Sequence, residues 1–160
     1  MTDPPSDPLI SYPIVGVGSS SGGLKALTAL LESLPAEPGI CLLLISHHSP
    51  RLPNLLPRLL ASHCRLPISE ATHLTRVRIN HVFLMPAGCQ LTLHAGVLQL
   101  VRGTPSTEPY LPIDSCFLSL AEELGSRAIG VVLSGDASDG TRGSRAIHAA
   151  GGVVFVQAPN

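Results

Sequence analysis

The sequence predicts a doubly wound α/β domain in three layers, with a mostly parallel sheet, helices on both faces and a short β-hairpin insertion. Wholly apolar runs such as residues 40–45 have the length and composition of strands that are buried on both faces. Stretches with leucines at helical spacing separate these runs, as βαβ units require. The 160 residues are 44% hydrophobic and 13% charged, which indicates a globular chain and excludes an intrinsically disordered one.

The first half of the chain predicts two βα units. Residues 1–13 carry four of the fifteen prolines, so we expect a disordered lead-in before a single domain at residues 14–160. Pro35 should end the first helix, and Pro57 weakens the prediction of the second. In chain order the predicted elements are a strand at 14–17, a helix at 24–34, a strand at 40–45 and a helix at 52–60.

The second half begins with short, alternating and turn-rich segments and then returns to the βαβ order. His94, Ala95 and Gly96 predict a hairpin turn, since a glycine is free to adopt a positive φ. The chain stops directly after a core strand, so we expect the domain to be truncated at its C-terminal end. The predicted elements are strands at 82–85, 90–93 and 97–101, a helix at 114–124, a strand at 128–133, a helix at 141–150 and a strand at 153–156.

Composition excludes several classes of function. A net charge of −1, three Phe, two Tyr and no Trp offer neither the basic surface nor the stacking rings of a nucleic-acid-binding protein. Direct membrane insertion is not expected, because no apolar run reaches about eighteen residues. The four cysteines are scattered without a CxxC pair, which predicts a reduced, cytoplasmic protein without a zinc finger or redox dithiol.

Ligands of an open parallel sheet bind beyond the carboxyl ends of its strands, and the first loop at that edge contains a G-x-S-x-G motif centred on Ser20. A strand, a glycine-rich turn and a helix form the context of a nucleophile elbow, which exposes the central hydroxyl. Two alternatives remain open. The loop could bind a phosphate or nucleotide, although it lacks the third glycine of a Rossmann loop and the GK[ST] of a P-loop. It could also be a structural turn whose hydroxyls cap the next helix.

The second loop places His47 and His48 at the end of the second strand. A histidine beside a serine elbow can act as the general base that a hydroxyl nucleophile needs. Such a pair could also be half of a metal site with His63, Cys64 or His73. These residues have no recognised ligand spacing, so we predict no metal and no cofactor.

The third loop, residues 134–140, contains Asp139 immediately before a predicted helix. An aspartate there can cap that helix through its N–H groups. It can also hold the tautomer of an imidazole and stabilise the imidazolium, as in a Ser-His-Asp triad. The chain order Ser, His, Asp differs from the Ser, Asp, His order of α/β-hydrolases, which indicates convergent chemistry on a different sheet.

These loops resemble the catalytic domain of the chemotaxis protein-glutamate methylesterase (CheB) family over nearly the whole chain, from about residue 14 to residue 157. The motifs that carry the resemblance are GSSSGGL at 18–24, HHSP at 47–50, AIGVVLSG at 128–135, SDGT at 138–141 and AAGG at 149–152. The resemblance implies a doubly wound sheet and the hydrolysis of glutamyl methyl esters on the cytoplasmic helices of chemoreceptors, with glutamine deamidation as a companion activity. The LPID run at 111–114 looks most like variants fused to a receptor methyltransferase, so methyltransferase and signalling domains are expected partners.

Carried over by motif position, the resemblance makes Ser20 the nucleophile, His48 the base and Asp139 its orienting partner. It implies that the Ser21 N–H group and the loop around Asp136 form the oxyanion hole. His47 is expected to be a neighbour without a role. Asp136 departs from the family pattern, and a carboxylate near an oxyanion would destabilise it. The alternative is therefore a catalytically impaired interaction domain of the same fold in a chemosensory protein.

Overall fold

Eight strands and four α-helices make up the protein in the computed structural model, which describes residues 10–20, 22–47, 55–103, 110–133 and 138–159. The strands are β1 Ile14–Ser19, β2 Cys41–Ser46, β3 Ile68–Glu70, β4 His81–Leu84, β5 Cys89–His94, β6 Val97–Arg102, β7 Ile129–Val132 and β8 Val153–Val156. The helices are α1 Leu24–Ser33, α2 Leu56–Ala61, α3 Pro112–Leu124 and α4 Thr141–Ala149, with a short 3-10 turn at Gly125–Arg127. Most of the predicted lead-in, residues 1–9, lies outside the described residues.

Six strands form a parallel sheet in the order β3-β4-β2-β1-β7-β8, and β5 and β6 form a separate antiparallel hairpin. In the central register Ser19 is opposite Ser46, and Gly18 is opposite Val132. The carboxyl ends of β1, β2 and β7 therefore lie side by side at one edge of the sheet. The predicted doubly wound sheet with a hairpin insertion is confirmed.

The sheet separates two apolar layers, because successive side chains of a strand point to opposite faces. In β2, Leu42 and Leu44 pack in a layer with side chains of α1 and α2. Cys41, Leu43 and Ile45 pack in the other layer, with α3, α4 and the hairpin. This alternation makes the domain a three-layer structure, and we call the second side the α3 face.

Two glycines of β1 allow α3 to lie very close to the sheet. A Cβ added at Gly16 would lie 2.8 Å from Leu120 Cδ1, and one at Gly18 would lie 2.7 Å from Ile113 Cγ2. Protein interiors are too densely packed to accommodate such overlaps without movement. The first turn of α3 is thus held against the carboxyl end of β1, where the first predicted loop begins.

The structure adds one strand and shortens one helix relative to the prediction. Strand β3 has only three residues and is partly exposed, so its sequence shows too few apolar residues to reveal a strand. Helix α2 begins at Leu56 and places Pro57 in its first turn, where a proline costs no hydrogen bond; residues 52–54 of the predicted helix lie outside the described residues. Within the described part of the chain, no helix is both long and apolar enough to span a membrane.

Candidate active site

Ser20 occupies the turn between β1 and α1, the position that a nucleophile elbow requires. The Gly23 N–H group donates to the Ser20 carbonyl oxygen at 3.0 Å and closes this turn. Gly22 has a φ of +97°, which strains any residue with a Cβ. The Ser20 Oγ atom is buried and has no hydrogen-bond partner among the described residues, so this hydroxyl does not cap α1. A buried, unpaired hydroxyl costs free energy and is often found where chemistry uses it.

His47 is the first residue after β2, and its imidazole contacts Asp139. The distance between His47 Nε2 and Asp139 Oδ2 is 2.8 Å. The Asp139 side chain is fully buried, whereas the His47 side chain is 28% exposed. The pair therefore joins a buried carboxylate to a ring that still reaches solvent at the carboxyl edge of the sheet.

The Asp139 carboxylate also caps helix α3. Its Oδ2 atom accepts the N–H of Ile113 at 2.9 Å, and its Oδ1 atom accepts the N–H of Asp114 at 2.8 Å. Leu111, the residue before α3, has no polar side chain with which to cap these groups, so an acceptor must come from another part of the chain. The prediction that Asp139 caps its own helix is wrong, because Gly140 with a φ of +103° precedes α4 without a side-chain cap.

Asp114 makes the reciprocal contact to α4. Its Oδ1 atom accepts the N–H groups of Gly140 at 3.1 Å and Gly143 at 2.6 Å. Asp114 lies in α3 and caps α4, whereas Asp139 directly precedes the start of α4 and caps α3. The positive ends of both helix dipoles lie at these two buried carboxylates and stabilise their negative charge. This exchange holds Asp139 in a single orientation toward His47.

Strand alternation explains why His47 reaches Asp139. Cys41, Leu43 and Ile45 face α3. His47 comes two positions after Ile45 and therefore points to the same face. In β1, Gly16 and Gly18 face α3, and Ser20 follows Gly18 by two positions and so lies on the same side. The sequence analysis expected His47 to be a neighbour without a role, and the structure places its imidazole in contact with Asp139. The signal that could have identified it is the period of two within β2.

The other predicted site residues fall into two groups. Ser21, His48 and Asp136 lie outside the described residues, so their predicted roles stay predictions. Two of the three residues weighed as further metal ligands have other partners: His63 Nδ1 lies 2.5 Å from Glu32 Oε1, and His73 Nδ1 accepts the N–H of Leu100 at 3.1 Å. Among the residues that the structure describes, no group of three or more His, Cys, Asp or Glu side chains is placed to hold a metal ion.

The arrangement supports acid–base chemistry at the edge of the sheet. A carboxylate can only accept hydrogen bonds, so His47 must donate a proton from Nε2 to Asp139. In the neutral ring the lone pair is then on Nδ1, which becomes the basic nitrogen. Ser20 follows the neighbouring strand, one position beyond the Ser19–Ser46 pair, as His47 does on β2. A hydroxyl, an imidazole and a carboxylate thus lie at one edge of the sheet, and these are the types of group that a Ser-His-Asp triad uses.

Comparisons with known proteins place this chain among methylesterases. The protein-glutamate methylesterase/protein-glutamine glutaminase 1 of Myxococcus xanthus is 36% identical over 148 residues, which are 90% of this chain and 43% of that protein. The enzyme of the same name from Desulfitobacterium hafniense is 34% identical over 94% of this chain and 40% of its own length. The chain therefore spans about two fifths of the length of the curated relatives it matches.

A solved structure and a family description extend the similarity to the fold. The crystal structure of the Thermotoga maritima CheB methylesterase catalytic domain matches with a TM-score of 0.79 at 27% identity, over 91% of this chain and 79% of that chain. The family described as CheB methylesterase matches residues 15–160. This match includes both Ser20 and the His47–Asp139 pair. The chain belongs to the CheB methylesterase family.

Proposed function

We propose that this chain is a serine carboxylesterase that hydrolyses glutamyl methyl esters on the cytoplasmic helices of chemoreceptors and releases methanol. Ser20 is the nucleophile, His48 the general base and Asp139 the carboxylate that orients it, as the motif positions imply. The observation that carries the proposal is the 2.8 Å contact between His47 and the buried Asp139, beside a serine elbow whose hydroxyl has no described partner. The names of the relatives from M. xanthus and D. hafniense support the substrate class.

The reaction proceeds through an acyl-enzyme. Ser20 Oγ attacks the ester carbonyl carbon while the His48 imidazole takes the hydroxyl proton. The imidazolium is stabilised by Asp139 and returns the proton to the methoxy oxygen as the carbon–oxygen bond breaks and methanol leaves. Water then attacks the glutamyl-serine ester with the same base and restores Ser20. With glutamine as substrate the leaving group is ammonia, which accounts for deamidation by the same residues.

Within this proposal the base is His48, which the motif position implies and which lies outside the described residues. Its neighbour His47 contacts Asp139, so the end of β2 lies against the carboxylate that would orient the base. The Ser21 N–H group and the loop around Asp136 remain the proposed oxyanion hole. That assignment needs only the backbone of the loop, since the Asp136 side chain would oppose a developing negative charge.

Methanol release from a methylated chemoreceptor fragment tests the proposal. Ser20→Ala should lower kcat by about 10³-fold or more, because a triad without its nucleophile retains only the residual effects of binding and polarisation. Ser19→Ala is the matched control: this neighbouring serine is buried in β1 and should leave the rate close to that of the wild type. Equal methanol release by the wild-type and Ser20→Ala chains would refute the assignment.

The alternative of a catalytically impaired interaction domain differs in its reaction with an activated phosphonate. A fluorophosphonate probe should label Ser20 in the wild-type chain, because labelling requires an activated hydroxyl but no turnover of receptor. Receptor binding without labelling would favour the interaction domain. A thermal shift on adding millimolar nucleotide would instead revive the phosphate-binding alternative for the loop that contains Ser20.

The cellular setting follows from the substrate. Methylated receptor helices lie in the cytoplasm, and we propose that this protein acts there. The LPID run at 111–114 supports association or fusion with a receptor methyltransferase and signalling domains. A 104.1 kDa uncharacterized protein of Rhodobacter capsulatus, 44% identical over 101 residues that are 10% of its length, shows that a similar segment occurs within a much larger chain.

A further inference from the structure

Helix α4 presents two arginines to solvent at the edge of the sheet where Asp139 lies. Arg142 and Arg145 are both exposed and are three residues apart, so they lie on the same side of the helix. The other side of α4, with Gly143 and Ile147, is buried in the domain. We call Arg142 and Arg145 the arginine row.

The arginine row has no counter-charge within the described part of the chain. Helix α4 contains no acidic residue, and neither guanidinium forms an ion pair with a described side chain. The two carboxylates next to the start of α4, those of Asp114 and Asp139, are buried and accept backbone N–H groups. A chain with a net charge of −1 therefore concentrates two unpaired positive charges on one turn of helix.

The stability of α4 does not explain a cation at this position. The amino end of a helix carries the positive end of the helix dipole, which disfavours a positive side chain in the first turn. Arg142 is the second residue of α4, and no acidic residue accompanies it in that turn. A cation that is unfavourable for its own helix and unpaired within the described residues indicates an anionic partner outside the chain.

The proposed reaction supplies the complementary charge. Hydrolysis of a glutamyl methyl ester, or deamidation of a glutamine, leaves a carboxylate on the substrate helix. A helix with several modifiable positions therefore carries negative side chains around those that are still esterified. Carboxylates three or four residues apart on such a helix have the same spacing as the arginine row, about 5–6 Å between Cβ atoms. Arginine also matches a carboxylate in geometry, since its planar guanidinium can donate two parallel hydrogen bonds.

The place of the arginine row in the chain sets its distance from the reacting ester. The row begins three residues after Asp139. Because a helix rises about 1.5 Å per residue, the two arginines lie about 5 and 9 Å beyond Asp139 along α4. One to two turns of a substrate helix cover about 5–11 Å. The row is therefore within reach of side chains one or two turns from the ester.

We propose that Arg142 and Arg145 form a docking surface for glutamate side chains that flank the reacting ester on a receptor helix. This inference rests on the proposed function and adds a rule of selection to it: esters next to glutamates are hydrolysed first. The arginines bind the flanking side chains and not the reacting atoms, so they contribute to binding and specificity and not to the chemical step. Each hydrolysis then makes the neighbouring ester a better substrate.

Reversal of charge on both sides of the contact tests the proposal. The substrates are helical receptor fragments with a single glutamyl methyl ester, flanked one turn away on each side by glutamates, by glutamines or by lysines. For the wild-type chain, KM for methanol release should be about tenfold lower with glutamates than with glutamines, since two exposed ion pairs are lost, while kcat stays within about twofold. Arg142→Glu/Arg145→Glu should abolish this preference and make the lysine-flanked fragment the best of the three.

The double variant should fold, and a matched control is at hand. Glutamate is favourable in the first turn of a helix, so the two substitutions remove an unfavourable charge from α4. Arg65→Glu makes the same change of charge at another exposed arginine, which lies three residues before β3 and thus at the opposite edge of the sheet. It should leave the preference for glutamates intact.

Binding without turnover separates the docking surface from the esterase. Fluorescence anisotropy of the labelled fragments with the Ser20→Ala chain gives a Kd for each fragment, and the glutamate-flanked fragment should bind about tenfold more tightly than the glutamine-flanked one. In about 1 M NaCl, where the Debye length is about 3 Å, this difference should shrink to less than about twofold.

Specific outcomes would overturn the inference. Equal Kd values for the glutamate- and glutamine-flanked fragments would refute it, as would a preference that survives in the double variant. An equal loss of preference in Arg65→Glu would show an effect of net charge and would also refute it. If the wild-type chain released no methanol, the proposed function would fail, but the anisotropy data would still decide whether the row binds glutamates. If the double variant did not fold, Arg142→Gln and Arg145→Gln would decide, each with an expected loss of about two- to fivefold.

Discussion

The substitution Asp139→Asn should separate catalysis from folding at this site. The carboxylate accepts three N–H groups, from His47, Ile113 and Asp114. An asparagine side chain has a single acceptor oxygen and can accept at most two of them. At least one buried N–H group must then face the amide NH2, whichever way the side chain turns.

The structure sets the size of both effects. A buried donor without an acceptor costs about 1–3 kcal/mol, and each of the two remaining bonds loses about 1 kcal/mol without the negative charge. The free energy of unfolding should therefore fall by about 3–5 kcal/mol. For catalysis, the neutral amide no longer selects the tautomer of the proposed general base or stabilises its imidazolium, so kcat should fall about 10⁴-fold, which corresponds to about 5.5 kcal/mol.

Asp114→Asn is the matched control, since it makes the same chemical change in the neighbouring carboxylate. Asp114 receives both of its N–H groups at one oxygen, which an asparagine retains, so the loss of unfolding free energy should be about 2 kcal/mol. Urea unfolding followed by circular dichroism gives the stability of each variant, and methanol release gives the rate. Loss of activity in both variants to the same extent would show that the buried charge, and not the contact to His47, is what matters.

Three further predictions concern stability and reactivity. Gly143→Ala should lower the urea midpoint although alanine favours helices, because its Cβ would lie 2.5 Å from the Phe117 Cβ; a variant as stable as the wild type would disprove this contact. Burial lowers the pKa of His81 below its ordinary 6.5, so the unfolded state binds this proton at a higher pH than the folded state does. The free energy of unfolding should therefore fall as the pH drops through 6.5 toward the lowered pKa. His81→Asn should flatten this pH dependence, and an unchanged slope would contradict the prediction. The thiols of Cys41 and Cys116, whose pKa burial raises to about 12, should resist iodoacetamide in the folded chain while the other two cysteines react, as mass spectrometry of the peptides would show.

Local patterns in the sequence were sufficient for most of the fold. Apolar runs of strand length recur between helical leucine spacings, and that alternation allows little besides a parallel sheet covered on both faces. The hairpin turn was also predicted from the sequence, and both Ala95 and Gly96 adopt the positive φ of a primed turn, at 49° and 72°. Strand β3 escaped prediction because pairing with β4, and not its own composition, makes it a strand.

Only part of the site could be predicted from the sequence. The G-x-S-x-G turn identified Ser20, and an aspartate after a strand drew attention to Asp139, because both signals lie within a few consecutive residues. The contact of His47 with Asp139 depends instead on which face of the sheet α3 covers, and a short motif does not reveal that. The exchange of caps between Asp139 and Asp114 joins groups about 25 residues apart, and the contact of Tyr110 with His47 joins two loops far apart in the chain. The sequence by itself therefore determined the layers and the glycine-rich turn at Ser20, which arise from local spacing. Only the tertiary structure decided which side chains meet, because that depends on the close packing of α3 on the glycines of β1.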